Sequence, residues 1–326
     1  MKTVAVARNA MATRFEIVLH GANEVSLRAA GEEALDEIER LEGQLSRFRE
    51  TSEIAHLNAR AARASVRVSV QVFRLLQQAQ RLTLATDGAF DITVAPLMRC
   101  WGFLRGDGRL PDADELAKTR GQVGMDLVQL NEADFTVRFA RPGVMLDLGA
   151  IGKGYAVDRA VEVLREAGVG SALIHGGTST AYGLGTPPGA EAWRIALPRP
   201  EFGPRFMAPG AAASPDQSEA VLATVPLREE SLSVSAVWGR SFEVAGRVYG
   251  HVMDPRLGAP VEGAVMTAVV APSATDTDAL STALLVLGAA GAGRVAATGG
   301  GVRTLVVERR SGPEEYRIES QGITLR

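Results

Sequence analysis

The chain contains one cysteine, Cys100, among 326 residues. No disulfide can form within it, and a cysteine-built metal or iron–sulfur site is excluded. It also lacks an excess of positive charge. Its 35 lysines and arginines stand against 38 aspartates and glutamates, for a net charge of −3, which argues against a basic surface built for nucleic-acid phosphates. Long apolar runs are missing too. Residues 279–293 come nearest, but they include Ser281 and Thr282 and are closed off by Asp278 and Arg294, well short of the ~18 uninterrupted apolar residues of a membrane span. The opening MKTVAVARNAMATRF has an apolar stretch of about five, against the roughly seven to fifteen of a signal-peptide core. As it stands the chain is expected to be cytoplasmic, or exported if a leader has been trimmed from it. Lysine is scarce as well: Lys2, Lys118 and Lys153 are the three, and Lys153 sits inside a glycine-rich loop.

What remains is the composition of a globular protein, 46% hydrophobic and 22% charged, with ample apolar surface to bury. Val4–Ala7 and Arg14–His20 alternate as half-buried strands do. Glu24 to Arg49 carries Leu27, Ala30, Ala34, Leu35, Ile38, Leu41 and Leu45 at spacings of three and four, the stripe of an amphipathic helix. Val70 to Ala85 repeats the pattern with Val72, Phe73, Leu76, Ala79 and Leu82 or Thr83. Leu127–Leu130 and Phe135–Phe139 read as a hairpin around Asn131–Asp134. A strand from Val144 is expected to run through glycines into a helix ending near Gly168, and Ser171–His175 to form the next strand. Residues 201–220, rich in Pro, Gly, Ala and Ser, read as a surface insertion. Strands follow at Leu232–Val237, Phe242–Val244, Val248–Val252 and Met266–Val270. A helix over Ala274–Leu287 then precedes closing strands at Arg303–Val307 and Tyr316–Ile318. Strands in runs with helices between hairpins imply an α+β fold with antiparallel sheets. No linker divides the chain, so a single unit over 1–326 is expected.

Three segments carry candidate chemistry. In Leu146-Asp-Leu-Gly-Ala-Ile-Gly-Lys-Gly-Tyr155, glycine amides and Lys153 gather at a helix start, which suits an anion. The spacing matches neither a P-loop nor a dinucleotide fingerprint. A tight turn needing glycine for backbone freedom is the alternative, and the residues alone leave both open. In Ala271-Pro-Ser-Ala-Thr-Asp-Thr-Asp-Ala-Leu-Ser-Thr282, Ser273 and Asp276 are spaced to start a helix. Asp278 and Thr282, four apart, share its face. A carboxylate beside a hydroxyl is hard-ligand chemistry suited to Mg²⁺, although acidic residues also favour a helix N-terminus in their own right. In Tyr249-Gly-His-Val-Met-Asp-Pro255, His251 closes a strand and could exchange protons near neutral pH, or serve only structure. Thr86 to Asp91 could be no more than a turn. No nucleophile elbow occurs.

The order of these segments resembles the ApbE family, the FAD:protein FMN transferases. Met11-Ala-Thr-Arg-Phe-Glu-Ile is followed by Leu45-Ser-Arg-Phe-Arg with Ser52-Glu-Ile and Leu57-Asn58. Then come Gly88-Ala-Phe-Asp-Ile-Thr-Val-Ala-Pro-Leu97, the glycine loop through Asp158, His251-Val-Met-Asp-Pro, and the segment from Ala271 to Leu284. The resemblance implies antiparallel sheets with flanking helices, a T-fold-like architecture, around an FAD cleft. It further implies Mg²⁺-dependent transfer of FMN from FAD to a threonine hydroxyl of a target flavoprotein, with AMP released. Such targets carry a motif like Asp-Gly-x-Ser/Thr-Gly-Ala-Thr. The same site could instead hydrolyse FAD to FMN and AMP, or hold FAD without turnover.

By position, the resemblance assigns Met11, Phe48, Ala89, Phe90, Asp91, Asp147, Lys153 and Val252 to the FAD site. It assigns Asp278, Thr282 and the Ala150 carbonyl to the metal, and His251 to catalysis. Departures stand at Ala12 for the usual glycine, at Phe48 for a common tyrosine, after the Gly176-Gly177 pair, where Asn or Asp is frequent, and at Ser235-Ala236 for Ser-Gly. Many family members are exported lipoproteins attached through an N-terminal cysteine, which this chain does not carry.

Overall fold

The structure is a computed structural model that describes residues 1–104, 108–200, 220–310 and 315–326. The insertion expected at 201–220 lies outside the described residues, Ala220 excepted. At the centre stands an eight-stranded sheet: β1 (Lys2–Ala10), β2 (Thr13–Gly21), β3 (Ala172–Gly176), β4 (Thr180–Leu184), β5 (Glu230–Ala236), β6 (Ala264–Ala271), β7 (Arg303–Arg309) and β8 (Tyr316–Gln321). Its strands lie side by side in chain order, and every neighbouring pair is antiparallel. The helices and smaller hairpins are therefore excursions from one meander, which gives the α+β architecture implied by the order of elements.

Three helices cover one face: α1 (Glu24–Leu45), α6 (Gly152–Glu166) and α7 (Ala274–Leu287), with α1 packed on α6 and α6 on α7. All seven stripe residues of α1 are buried. The helix ends at Leu45 rather than Arg49. Ser46 is extended there, and its carbonyl accepts the hydroxyl of Ser52, which also caps α2 (Glu53–Arg60). Competition from that short-range hydroxyl stops the helix one turn early. The second face of the sheet is covered by a hairpin of Trp193–Pro198 and Val221–Leu227, whose Trp193, Leu197, Leu222, Val225 and Leu227 pack on Leu232, Met266, Val270 and Leu305. With both faces covered, β6 is buried along its whole length, which explains its unbroken apolar sequence.

α3 (Val70–Ala85) and α7 occupy the spans that periodicity and capping residues predict. The hairpin of Val128–Asn131 and Thr136–Phe139 forms as expected and gains a third strand, Val66–Arg67. The strand expected from Val144 does not form: residues 144–148 lie outside any strand. The Asn58 side chain takes the place of a strand partner there: its Oδ1 accepts the Leu146 N–H at 2.7 Å, and its Nδ2 donates to the Leu146 carbonyl at 3.0 Å. The Asp147 N–H then donates to the Ile92 carbonyl. An apolar, extended segment whose backbone groups are met one by one needs no ladder.

Candidate active site

Asp158 fixes the relation of α6 to α7. From the second turn of α6 its carboxylate accepts the Ala274 and Thr275 N–H groups and the Ser273 and Thr275 hydroxyls. That satisfies the orphan donors at the start of α7 from another helix. Gly154 then permits close contact, and its N–H donates to Asp278 Oδ2 at 3.0 Å. Asp278 is 4% exposed. Its other oxygen lies 3.6 Å from Lys153 Nζ, which also donates to the Gly149 carbonyl at 3.2 Å.

Of the two readings the sequence left open for the glycine loop, an open row of amides is not the one that forms. The Gly149 N–H is taken by Asp147 Oδ1, those of Ile151 and Gly152 by the Leu148 carbonyl, and that of Gly154 by Asp278. With these four amides engaged, Lys153 is the charged group that the loop offers an anion. The ammonium and the buried carboxylate stand together because glycine lets the two helices touch.

A cavity of about 380 Å³ opens over this junction. Ala89, Phe90, Asp91, Asp147, Ala150, Lys153, His251, Val252, Asp278 and Thr282 all line it. Met11 and Phe48 lie instead on an adjoining pocket of about 220 Å³, with Ala12 and Arg47. Asp147, Gly149 and Lys153 border both. Phe48 is 70% exposed, with the Arg47 guanidinium 4.0 Å from its ring centroid. Arg47 Nε in turn pairs with Asp147 Oδ2 at 2.9 Å, so the wall between the pockets is itself an ion pair.

Not every lining carboxylate is free to act. Asp91 accepts the Thr93 N–H and hydroxyl on one oxygen and the Met125 N–H on the other. Burial raises its pKa, and these three hydrogen bonds oppose the rise. Its carboxylate organises the loop that carries Ala89 and Phe90. His251 follows the Arg247–Gly250 strand and is half-buried. Its ring lies against Gly239, where a Cβ would stand 2.9 Å from Cε1. Burial depresses its pKa below the ordinary histidine value; a hydrogen bond to the Arg240 backbone opposes the drop and the Arg240 charge adds to it, and the net lowering leaves the imidazole neutral at pH 7. Its Nδ1 is buried without a hydrogen-bond partner among the described residues.

The donor set at the junction suits a hard cation. Asp278 offers a carboxylate, while Thr282 and Ala150 border the same space with a hydroxyl and a carbonyl, the oxygen chemistry that Mg²⁺ takes. Among the described residues no group of three or more His, Cys, Asp or Glu side chains is arranged to hold a metal. A set with a single carboxylate leaves room for waters and substrate oxygens, as Mg²⁺ requires.

Some residues at the site had no role in the sequence reading. Ser235 lines the cavity and reaches Thr282, Trp238 borders it, and Arg47 and Asp158 hold the surrounding elements. A signal for Ser235 was present: Ser231, Ser233 and Ser235 recur at period two in an otherwise apolar strand, opposite a helix carrying Thr277 and Ser281 four apart.

The family model described as ApbE family matches residues 11–306. A Haemophilus influenzae protein named FAD:protein FMN transferase is 27% identical over 88% of this chain and 81% of its own. One of that name from Treponema pallidum is 32% identical over 80% and 72%. Among solved structures, the apo form of the Pseudomonas stutzeri flavinyl transferase ApbE superposes with a TM-score of 0.83 at 27% identity, covering 98% of this chain and 95% of that one. The ApbE protein of Thermotoga maritima gives 0.83 at 26%, covering 98% and 97%.

Proposed function

The chain belongs to the ApbE family as an enzyme of the flavin-transfer type, and on that premise we propose that it moves the FMN half of FAD to a threonine hydroxyl of a target flavoprotein, releasing AMP. The observation that carries this reading is the meeting of a neutral histidine, a lysine and hard oxygen donors on one cavity. The names of the Haemophilus and Treponema relatives support the substrate.

In the proposed reaction the threonine oxygen bonds to the FMN phosphorus. The link from that phosphorus to the bridging oxygen breaks, and AMP departs with that oxygen. Positioning and charge neutralisation supply most of the catalysis in such a transfer. Mg²⁺, held by the Asp278 carboxylate, the Thr282 hydroxyl and the Ala150 carbonyl, would supply neutralisation at the pyrophosphate. Lys153 adds a point charge beside it. His251 accepts the threonine proton, a role worth about 10²–10⁴-fold and open to it because burial keeps the ring neutral. The exposed Phe48 ring offers a flat face to a planar ring of FAD.

The test mixes the protein with FAD, Mg²⁺ and a target bearing an Asp-Gly-x-Ser/Thr-Gly-Ala-Thr-like motif. In-gel fluorescence reads covalent flavin, and chromatography reads AMP and free FMN. Labelled target with stoichiometric AMP, lost on chelation and in Asp278→Asn, is the expected result. AMP with free FMN and no label would make the protein an FAD pyrophosphatase. Intact FAD recovered from the protein would make it a binder.

A further inference from the structure

We infer that Ser235 is a positioning residue that turns the Thr282 hydroxyl so that its lone pairs face the cavity; this rests on the reading of Thr282 as a cation ligand. The strand β5 presents Ser231, Ser233 and Ser235 toward α7, and the interface between them is made of hydroxyls. Ser233 Oγ lies 2.9 Å from Thr277 Oγ1, which donates to Ser231 Oγ. Further along, Ser235 Oγ lies 3.2 Å from Thr282 Oγ1 and 2.9 Å from Ser281 Oγ. Ser281 Oγ donates to the Asp278 carbonyl at 3.0 Å.

The direction of this chain follows from its end. A carbonyl oxygen has no proton, so Ser281 must donate to it. Having spent its single proton, Ser281 can only accept from Ser235. Ser235, likewise spent, can only accept from Thr282. Three hydroxyl protons thus run one way, Thr282 to Ser235 to Ser281 to the Asp278 carbonyl. The competing partner for the Thr282 proton is that same carbonyl, at 3.4 Å, which is longer and already takes the Ser281 bond. A hydroxyl ligates a cation through a lone pair, so its proton must point elsewhere, and Ser235 receives it. Chains of this kind also strengthen each member by polarisation. Removing an outer partner of a metal ligand typically costs about 10–100-fold in metal affinity.

The experiment titrates nucleotide-free full-length protein with Mn²⁺ alone, read by calorimetry, for wild type, Ser235→Ala, Thr282→Val, the double variant and Ser235→Thr. The expected outcome is about tenfold weaker binding for Ser235→Ala. The double variant should be no worse than Thr282→Val, because the two residues act through one hydroxyl. Ser235→Thr, which restores an acceptor, should bind like wild type. Ser235→Cys keeps the volume with a poorer acceptor, and should also weaken binding if Ser235→Ala fails to fold. Wild-type affinity in Ser235→Ala beside a weakened Thr282→Val would overturn the inference alone. So would losses that multiply in the double variant. Thr282→Val binding like wild type would overturn the ligand assignment and this inference with it.

Discussion

The Gly154 amide donates to Asp278 Oδ2 at 3.0 Å, across 124 residues of sequence. The contact exists because position 154 has no side chain: a Cβ there would stand 2.0 Å from the Ala274 carbonyl oxygen and 2.8 Å from the Asp278 Cβ. Gly154→Ala must therefore push α6 away from α7, an overpacking cost of about 1–3 kcal/mol. The displacement also separates Lys153 from Asp278. A melting temperature a few degrees lower, together with flavin transfer reduced by about 10²-fold, is the expected result. Full transfer activity in a folded Gly154→Ala protein would show that the helix contact does not set the site.

Ala12 sits at φ 59° beside Met11 at φ 50°, in the turn between β1 and β2. Both are in the left-handed region, which costs a residue with a Cβ roughly 1–2 kcal/mol. Ala12→Gly should raise stability by about 0.5–1 kcal/mol after glycine's own entropic cost, measured by urea unfolding. A lower midpoint would mean that the Ala12 methyl contributes packing that outweighs the strain.

The pH dependence of transfer should carry the signature of His251. A general base works in its neutral form, and burial holds this imidazole's pKa below the ordinary histidine value. Activity is then full at neutral pH and falls with acid only after pH has dropped beneath about 6.5. Stability follows the same sign. The unfolded chain binds this proton at higher pH than the folded one, so the folded state loses stability as pH falls from about 6.5 toward the folded pKa. His175, also depressed by burial, adds to the slope. Transfer rates measured from pH 5 to 8 that turn down above pH 7 would rule out a buried neutral base.

Asn58 replaces a strand partner for Leu146, so its loss should be felt at the site. Asn58→Leu leaves the Leu146 N–H and carbonyl without their partner, at about 1–3 kcal/mol for each group left unpaired. The adjoining Asp147 loses its anchorage against Arg47. Chemical denaturation should show a loss of about 2–6 kcal/mol, and FAD binding measured by fluorescence should weaken. A variant as stable as the parent would mean that the segment finds other partners.

Much of this protein was legible in one dimension. The buried stripe of α1, the spans of α3 and α7, and the Ser273 cap follow from periodicity and local hydrogen bonding, which act over a few residues. The candidate site residues were readable because their order along the chain resembles a family. Other features were not readable. β4 and Val221–Leu227, buried on nearly every residue, gave no usable alternation. The glycine loop left free amides and a tight turn undecided. The stretch before it read as a strand, since an extended apolar segment looks the same whether a ladder or one asparagine satisfies its backbone.

By itself the sequence determined which residues could carry charge, donate a hydroxyl or cap a helix, because those are properties of side chains and near neighbours. The tertiary structure decided which of them meet. Asp158 reaching the start of α7, Gly154 against Ala274 and Ser235 against Thr282 each depend on surfaces brought together by burial of the sheet face, and no local preference encodes that distance.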